Sequence, residues 1–382
     1  MQVELLKKVN VLNYGAKGKN IIFDTIGFQR ALNIAKQQPV KIYVPEGKYY
    51  ISKELVIYKH THLQLHKDAE VIRMSPFALL KNGNKGDQYK GYEGNGFITI
   101  EGGTFNQNGH VLNFNNTIMS LGHAREITIK DVTFKNVVQG HAIDACGLDG
   151  FKVTGCKFLG FRDDSGERAF SEAIQIDLQL KDSFPKFGAY DATPTKNVII
   201  ENCYFGNSGD PLMKPWNRAI GSHASHHDVF YENITVRNNT FEEMGDYALT
   251  FLKSKVLHIH DNEFIDCAGG IRYRSTKSGK YTTDLSGNVH KGAAGELTVI
   301  RRNTFKGIQA KHAILFQSYE GTKNRDIYIV DNDFEGESCS VKIGHASHVV
   351  CAQNKNLKNI KKEEVDDFFD VIEVATENVG EK

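Results

Sequence analysis

Long apolar runs are missing from this sequence, and so is an excess of either charge. No stretch approaches the roughly 20 apolar residues that a helix needs to cross a bilayer, so a membrane-spanning helix is excluded. Lys and Arg number 47 against 46 Asp and Glu, a formal net charge of +1, and the two signs are interspersed. A nucleic-acid partner would call for a basic face, which such a balance does not supply. Tryptophan occurs once and proline seven times against 35 glycines. The first count leaves no Trp-rich carbohydrate module, and the second is unlike a disordered or collagen-like chain. The opening residues MQVELLKKVNVLNYGAKG hold no apolar core of secretory type, so no leader is expected here.

The six cysteines, Cys146, Cys156, Cys203, Cys267, Cys339 and Cys351, form no C-x-x-C pair, which argues against a zinc site. Their even number permits disulfides. The repeat described next places several of them in a core, where buried free thiols are expected instead. No metal or cofactor is expected.

What the chain does have is a repeat. A unit of alternating apolar residues, a polar turn-like position and a phenylalanine recurs seven times, ending at Phe134, Phe158, Phe205, Phe241, Phe264, Phe305 and Phe334; an earlier copy ends at Phe105. Typical copies read ITIKDVTF, FKVTGCKF and IYIVDNDF. The shortest spacings, Phe134 to Phe158 and Phe241 to Phe264, are 24 and 23 residues. Period-two alternation makes each unit a strand with one buried face, and such a strand is stable only when stacked on copies of itself. Two positions before the phenylalanine stand Cys156, Cys203, Asn239, Asn262, Asn303 and Asn332. Asparagines stacked at about 4.8 Å can hydrogen-bond as a ladder and close a turn between coils.

A second strand follows each unit, as in HAIDACG from His141, EAIQIDLQ from Glu172, RAIGSHA from Arg218, YALTFLK from Tyr247 and GIRYRST from Gly270. Helical signal is nearly absent between the strands, so a doubly wound α/β sheet is excluded. The expected fold is all-β: a right-handed, single-stranded parallel β-helix of about ten coils over residues 1–355, with residues 356–382 as a C-terminal cap or tail. One helix near residues 24–37, with Asp24 as its N-cap and Phe28, Ala31, Leu32 and Ala35 on one face, is expected to plug the open apolar end.

Aligning the second strands on Ile143, Ile174, Ile220, Leu249, Ile271 and Ile314 sorts their faces. The outward set is Asp144, Cys146, Gln175, Asp177, Gly221, His223, Thr250, Leu252, Arg272, Arg274, Leu315 and Gln317. Asp177 and His223 fall on successive coils about 4.8 Å apart, and Arg274 two coils further. Glu172 and Arg218 open their strands in matching positions near a corner, where a structural ion pair is the alternative. Long insertions flank these coils and carry Arg162, Asp163, Asp164, Tyr190, Asp210, Lys214 and Trp216; Lys253 ends a neighbouring strand. Loops gathered on one face of a rigid scaffold are where binding usually lives. An indole can stack on a sugar ring, although Trp216 fits loop core equally well. His226 and His227 are adjacent, and a loop-surface role is expected of them rather than metal binding.

The segments VNVLNYGAKGKNIIFDTIGFQRALNIAKQQ and KIYVPEGKYYISKELVI resemble the entry of the pectate-lyase-like β-helix superfamily, which includes polygalacturonases and phage tailspike depolymerases. The likeness extends from residue 9 to about 350. It implies the β-helix and a polysaccharide substrate, and leaves the reaction open, because one fold hosts many chemistries. EAIQID, RAIGSH and GIRYRS stand where polygalacturonases carry catalytic strands. That correspondence implies an acidic catalytic role for Asp177, a supporting or proton-handling role for His223, and a substrate clamp at Arg272 or Arg274. The family's adjacent Asp-Asp pair is missing from its place, so Glu172 is the expected second acid, with Asp163, Asp164 or Asp210 in reserve. Gln175, Arg218, Trp216, Tyr190 and Lys253 complete the expected substrate-binding set.

Glycoside hydrolysis by paired carboxylates is thus the leading expectation. A lyase acting on a uronic-acid glycan is the second, with cations stabilising an enolate. A non-catalytic glycan-binding adhesin or virion appendage is the third. A monomer is expected, or a homotrimer for a virion protein.

Overall fold

Strand after strand pairs in parallel with its counterpart one coil earlier and one coil later, building a twenty-stranded and a ten-stranded sheet. The computed structural model describes residues 6–18, 20–319, 321–336 and 340–371; Lys19, Cys339 and Ile372 lie outside them. Among the described residues ten coils contribute a strand to the smaller sheet, and the architecture is the expected right-handed β-helix.

Each phenylalanine unit proves to be two strands rather than one. In ITIKDVTF the chain runs in Met119–Lys130, bends at Asp131, and resumes in Thr133–Val138. Asp131 takes a left-handed φ of 56°, and Asn202, Asn238, Asp261, Arg302 and Asp331 repeat that conformation, with φ between 49° and 57°. Asn and Asp tolerate this region better than most residues, so the polar position of the repeat is the bend itself.

Just past the bend runs the ladder. Asn262 Oδ1 accepts both the main-chain N–H and the side-chain amide of Asn239, each at 3.0 Å. Asn303 does the same for Asn262, Asn332 for Asn303 and Asn354 for Asn332. The amides also reach inward to main-chain carbonyls, for example Asn262 to Val236 at 2.9 Å. Behind the ladder the phenylalanines stack, with ring centroids 4.6 to 5.0 Å apart from Phe134 to Phe334. Each buried ring contributes about 1.5–3 kcal/mol by leaving water. The five described cysteines are free and buried; the register predicts this for those in the coil core, whereas Cys146 faces outward and is covered by Phe184 and Phe187.

Two boundaries differ from expectation. The N-terminal helix spans Ile21–Leu32 with Asn20, not Asp24, as N-cap, and a 3₁₀ turn Asn33–Lys36 follows. Asp24 instead sits buried in the first turn. Its carboxylate takes the main-chain N–H groups of Lys17 and Gly18 at 2.8 Å, and of Asn20 and Tyr50 at 3.1 Å, tying the helix to the first coil. At the other end the coil does not stop near residue 355. Asn359–Val371 pairs in parallel along the whole of Ser340–Ala352, adding a rung that leaves Phe369 exposed.

Candidate active site

The columns read from the sequence are the columns of the structure: Cys146 pairs with Asp177, Gln175 with Gly221, Thr250 with Arg272, and Leu252 with Arg274. Facing outward, however, does not make these residues exposed. The chain after Gly221 closes over them, and Asp177 is fully buried. It accepts the Tyr231 hydroxyl at 2.6 Å, the Gln175 amide at 2.8 Å, and the main-chain N–H groups of Ala224 and His223 at 2.9 and 3.2 Å. Burial pushes its carboxyl up, against the pull of His223 and Tyr231. With so many partners inside the protein, Asp177 is not the exposed acid that the sequence leads one to expect.

Beside Asp177 stands His223, whose Nδ1 lies 3.3 Å from the carboxylate. On the opposite side of the ring, His223 Nε2 faces Glu172 Oε2 at 3.7 Å, and both atoms are buried without a hydrogen-bond partner. The other Glu172 oxygen accepts from Arg218 at 3.3 Å, so the expected ion pair exists and uses only half of the carboxylate. Burial raises the Glu172 carboxyl above its ordinary value, opposed by His223 and Arg218. His141, from the preceding coil, brings Nδ1 to 2.8 Å from the main-chain carbonyl of Glu172 and 3.9 Å from its carboxylate. Burial drives the His141 pKa down to about 3, so the ring is neutral at physiological pH. A missing side chain makes room for this group: a Cβ at Gly221 would stand 3.0 Å from Glu172 Cγ and 2.2 Å from Thr250 Oγ1.

Above lies a cleft of about 890 Å³ whose walls include His141, Asp144, Gln175 and His223, Arg168 and Phe170 from one loop, Lys186 from a second, and Tyr281 and Asp284 from a third. Asp144 is nearly buried and is paired with Lys186 at 2.5 Å. His223 and Gln175 are the expected residues that line this cleft, with Glu172 directly behind.

The remaining expected residues are used elsewhere. Trp216 is fully buried and stacks on Phe161 at 4.9 Å, so it is loop core. Lys253 is buried too and donates to the main-chain carbonyls of His226 and His227; burial lowers its pKa to about 8. Asp163 takes the N–H groups of Ser165, Gly166 and Arg168 and shapes the turn that presents Arg168. Asp164 is held by Arg162 at 2.8 Å, and Asp210 by Asn136 at 2.7 Å and Lys135 at 3.0 Å. Tyr190 is exposed and Arg274 half-buried, both away from the cleft lining. His141 and Asp144 were legible on the strand HAIDACG, one coil before Glu172. Nothing in the sequence pattern singles out Lys186, Arg168 or Tyr281, because loops place them.

Arg218 and Arg272 share Asp246, at 2.8 and 3.0 Å, a clamp inside the protein. Burial works to raise the Asp246 carboxyl, and Arg272 and Arg218 overcome it and hold it below its ordinary value. The folded pKa thus lies below the unfolded one of about 4. The stability lent by this clamp is in place above the unfolded value and is lost as pH falls through the folded one. Asp246→Asn is expected to lower the melting temperature at neutral pH and to flatten the acid loss below about pH 4. Superimposable melting curves for the two proteins across that range would contradict the clamp.

Comparison with known proteins agrees with this architecture. Residues 91–289 match the family described as right handed beta helix region, and residues 8–149 match rhamnogalacturonase A/epimerase, pectate lyase-like. The chain belongs to the right-handed β-helix family. It is 30% identical over 287 residues to the plasmin and fibronectin-binding protein A of Streptococcus pneumoniae, a match covering 67% of this chain and 39% of that protein. The chain thus spans well under half the length of that relative. The crystal structure of PfbA, a surface adhesin of the same species, superposes with a TM-score of 0.70 at 23% identity, over 91% of this chain and 84% of the other. A family 28 exopolygalacturonase of Yersinia enterocolitica gives 0.62 at 11% identity, over 95% and 78%. At such identities these two structures speak for the fold alone.

Proposed function

We propose that the chain acts at or outside a cell surface, holds an extended polysaccharide in the cleft above His141, Gln175 and His223, and hydrolyses a glycosidic bond there. The observation that carries this reading is the pair of buried, partnerless atoms Glu172 Oε2 and His223 Nε2 under the cleft floor. Unpaired buried polar atoms are costly and tend to mark sites where something else completes the arrangement. Hydrolysis needs one carboxyl group that keeps a proton for the leaving oxygen and a second that activates water. Glu172, raised by burial, suits the first role. Asp144, in the neighbouring coil on the cleft wall and tethered by Lys186, suits the second. His223, held by Asp177, moves the proton beside Glu172. Arg168 and Lys186 on the walls favour a glycan that carries acidic groups.

The similarity to a plasmin- and fibronectin-binding protein favours a second reading, a surface adhesin that binds through the same face without cutting. Incubation with a panel of uronic-acid and neutral polysaccharides separates the two. New reducing ends without ultraviolet absorbance from an unsaturated product are expected. Appearance of that absorbance would replace hydrolysis by elimination, and binding without any product would favour the adhesin.

A further inference from the structure

We propose that His141, Glu172 and His223 form a binding site for a divalent transition cation of the zinc class. One ligand atom from each of the three lies within 4.8 Å of the others. Around an ion held at about 2.0–2.1 Å, tetrahedral neighbours stand about 3.3 Å apart, so modest closure of three side chains brings them to ligating distance.

Three observations support the site. The first is the outer contacts. A histidine that binds a metal commonly gives its other ring N–H to a carboxylate or a main-chain carbonyl, which fixes the ring and its tautomer. His223 stands this way, with Nδ1 3.3 Å from Asp177 Oδ2; His141 Nδ1 lies 2.8 Å from the Glu172 carbonyl and 3.9 Å from Glu172 Oε2, so that ring turns to ligate. The second is the orphaned pair. Glu172 is fully buried, its Oε2 has no hydrogen-bond partner, and His223 Nε2, also without one, is 3.7 Å away. That gap is too wide for a hydrogen bond and is spanned naturally by an ion bound to both. The third is the donor chemistry. Two imidazoles and one carboxylate suit zinc and its first-row neighbours, whereas calcium asks for six to eight oxygens. His141 and His223 both line the cleft, which gives the ion a way in and leaves a ligand position facing it.

Sequence spacing does not reveal this site, because its members come from three successive coils. The proposal rests on the functional reading above only for its consequence. Ligation and proton donation use the same Glu172 oxygen, so a bound cation and glycan cleavage exclude one another, and zinc-class ions act as inhibitors of the cleft.

The test is calorimetric titration of the full chain, freed of metal by a chelator, with zinc chloride and separately with calcium chloride, alongside thermal melts. One zinc ion per chain is expected, with a rise in melting temperature and no response to calcium. His223→Ala and Glu172→Gln are expected to weaken zinc binding at least about tenfold, and Asp177→Asn by about tenfold or more through the outer contact. Cobalt(II) in place of zinc reports on ligation directly: a visible absorption band in the parent that is lost in His141→Gln supports the site even where a variant is less stable. Zinc affinity unchanged in His223→Ala and Glu172→Gln, or calcium binding at the same place, would overturn it. Zinc binding with no cleavage of any glycan leaves this site standing and removes the hydrolase reading; cleavage with no zinc binding does the reverse.

Discussion

Glu172→Gln is expected to lower glycan cleavage by about 10²–10⁴-fold, the usual worth of a positioned general acid, with the melting temperature close to that of the parent. Glutamine keeps the size of the side chain that lies over Gly221, and its carbonyl oxygen can still accept from Arg218 as Oε1 does at 3.3 Å. What disappears is the proton that burial keeps on this carboxyl to higher pH than usual. Rates on the best glycan of the panel and a thermal melt of the same preparation check both halves. A rate near that of the parent would remove Glu172 from the chemistry. Asp177 offers no comparably clean test. Its oxygens receive a hydroxyl, a side-chain amide and two main-chain N–H groups, so an amide there must turn a donor toward donors, and lost activity would mix chemistry with lost order around His223.

Much of the architecture can be read from the sequence because it depends on period and register alone. The phenylalanines that align in the sequence pair one on one in the structure, Phe158 with Phe205 and Phe264 with Phe305, and the asparagine column closes the bends as expected. The outward columns likewise hold. The site is harder, since it depends on what covers those columns. Asp177 and Cys146 face away from the core of the coil and are nonetheless fully buried, because residues after Gly221 and those around Phe184 fold back over them. Period-two alternation reports the side of a strand and not the depth of the loops above it. Trp216 fails as a sugar platform for the same reason.

The helix start shows a smaller ambiguity of the same kind. Asn20 and Asp24 are both residues that cap helices, four apart, and only the structure shows the second tying Lys17, Gly18 and Tyr50 together. In the site itself, Glu172 shares its parity with the inward Ile174 and Ile176, and alternation alone would send it into the core. It escapes because it opens the strand at a corner and because Gly221, on the next coil, leaves its side chain room to lie across the outer face. A repeat makes every coil alike; this site exists where one coil replaces a side chain by hydrogen at Gly221 and carries His223 two residues on, while an earlier coil supplies His141.

The coil on which the site is mounted depends on its ladder, and Asn262→Ala is expected to cost about 3 kcal/mol or more. The substitution removes the acceptor for the main-chain N–H and side-chain amide of Asn239. It also removes the donor to the carbonyls of Val236 and His260 and to Asn303 Oδ1. All these groups are buried or partly buried, and each one left unpaired costs about 1–3 kcal/mol, partly relieved where neighbouring coils relax. Asn233 is the matched control. Its amide donates to Asn197 at 2.9 Å on the exposed surface, where water replaces a lost partner, so Asn233→Ala should cost only the roughly 1–2 kcal/mol of placing alanine at a left-handed φ of 54°. Urea unfolding followed by far-ultraviolet circular dichroism measures both. In a solenoid, coils contact only their neighbours, so the Asn262 variant should also broaden the transition as the coils on either side of the gap lose their coupling. Equal midpoints for Asn262→Ala and Asn233→Ala would mean that the stacked phenylalanines hold the bends without the ladder.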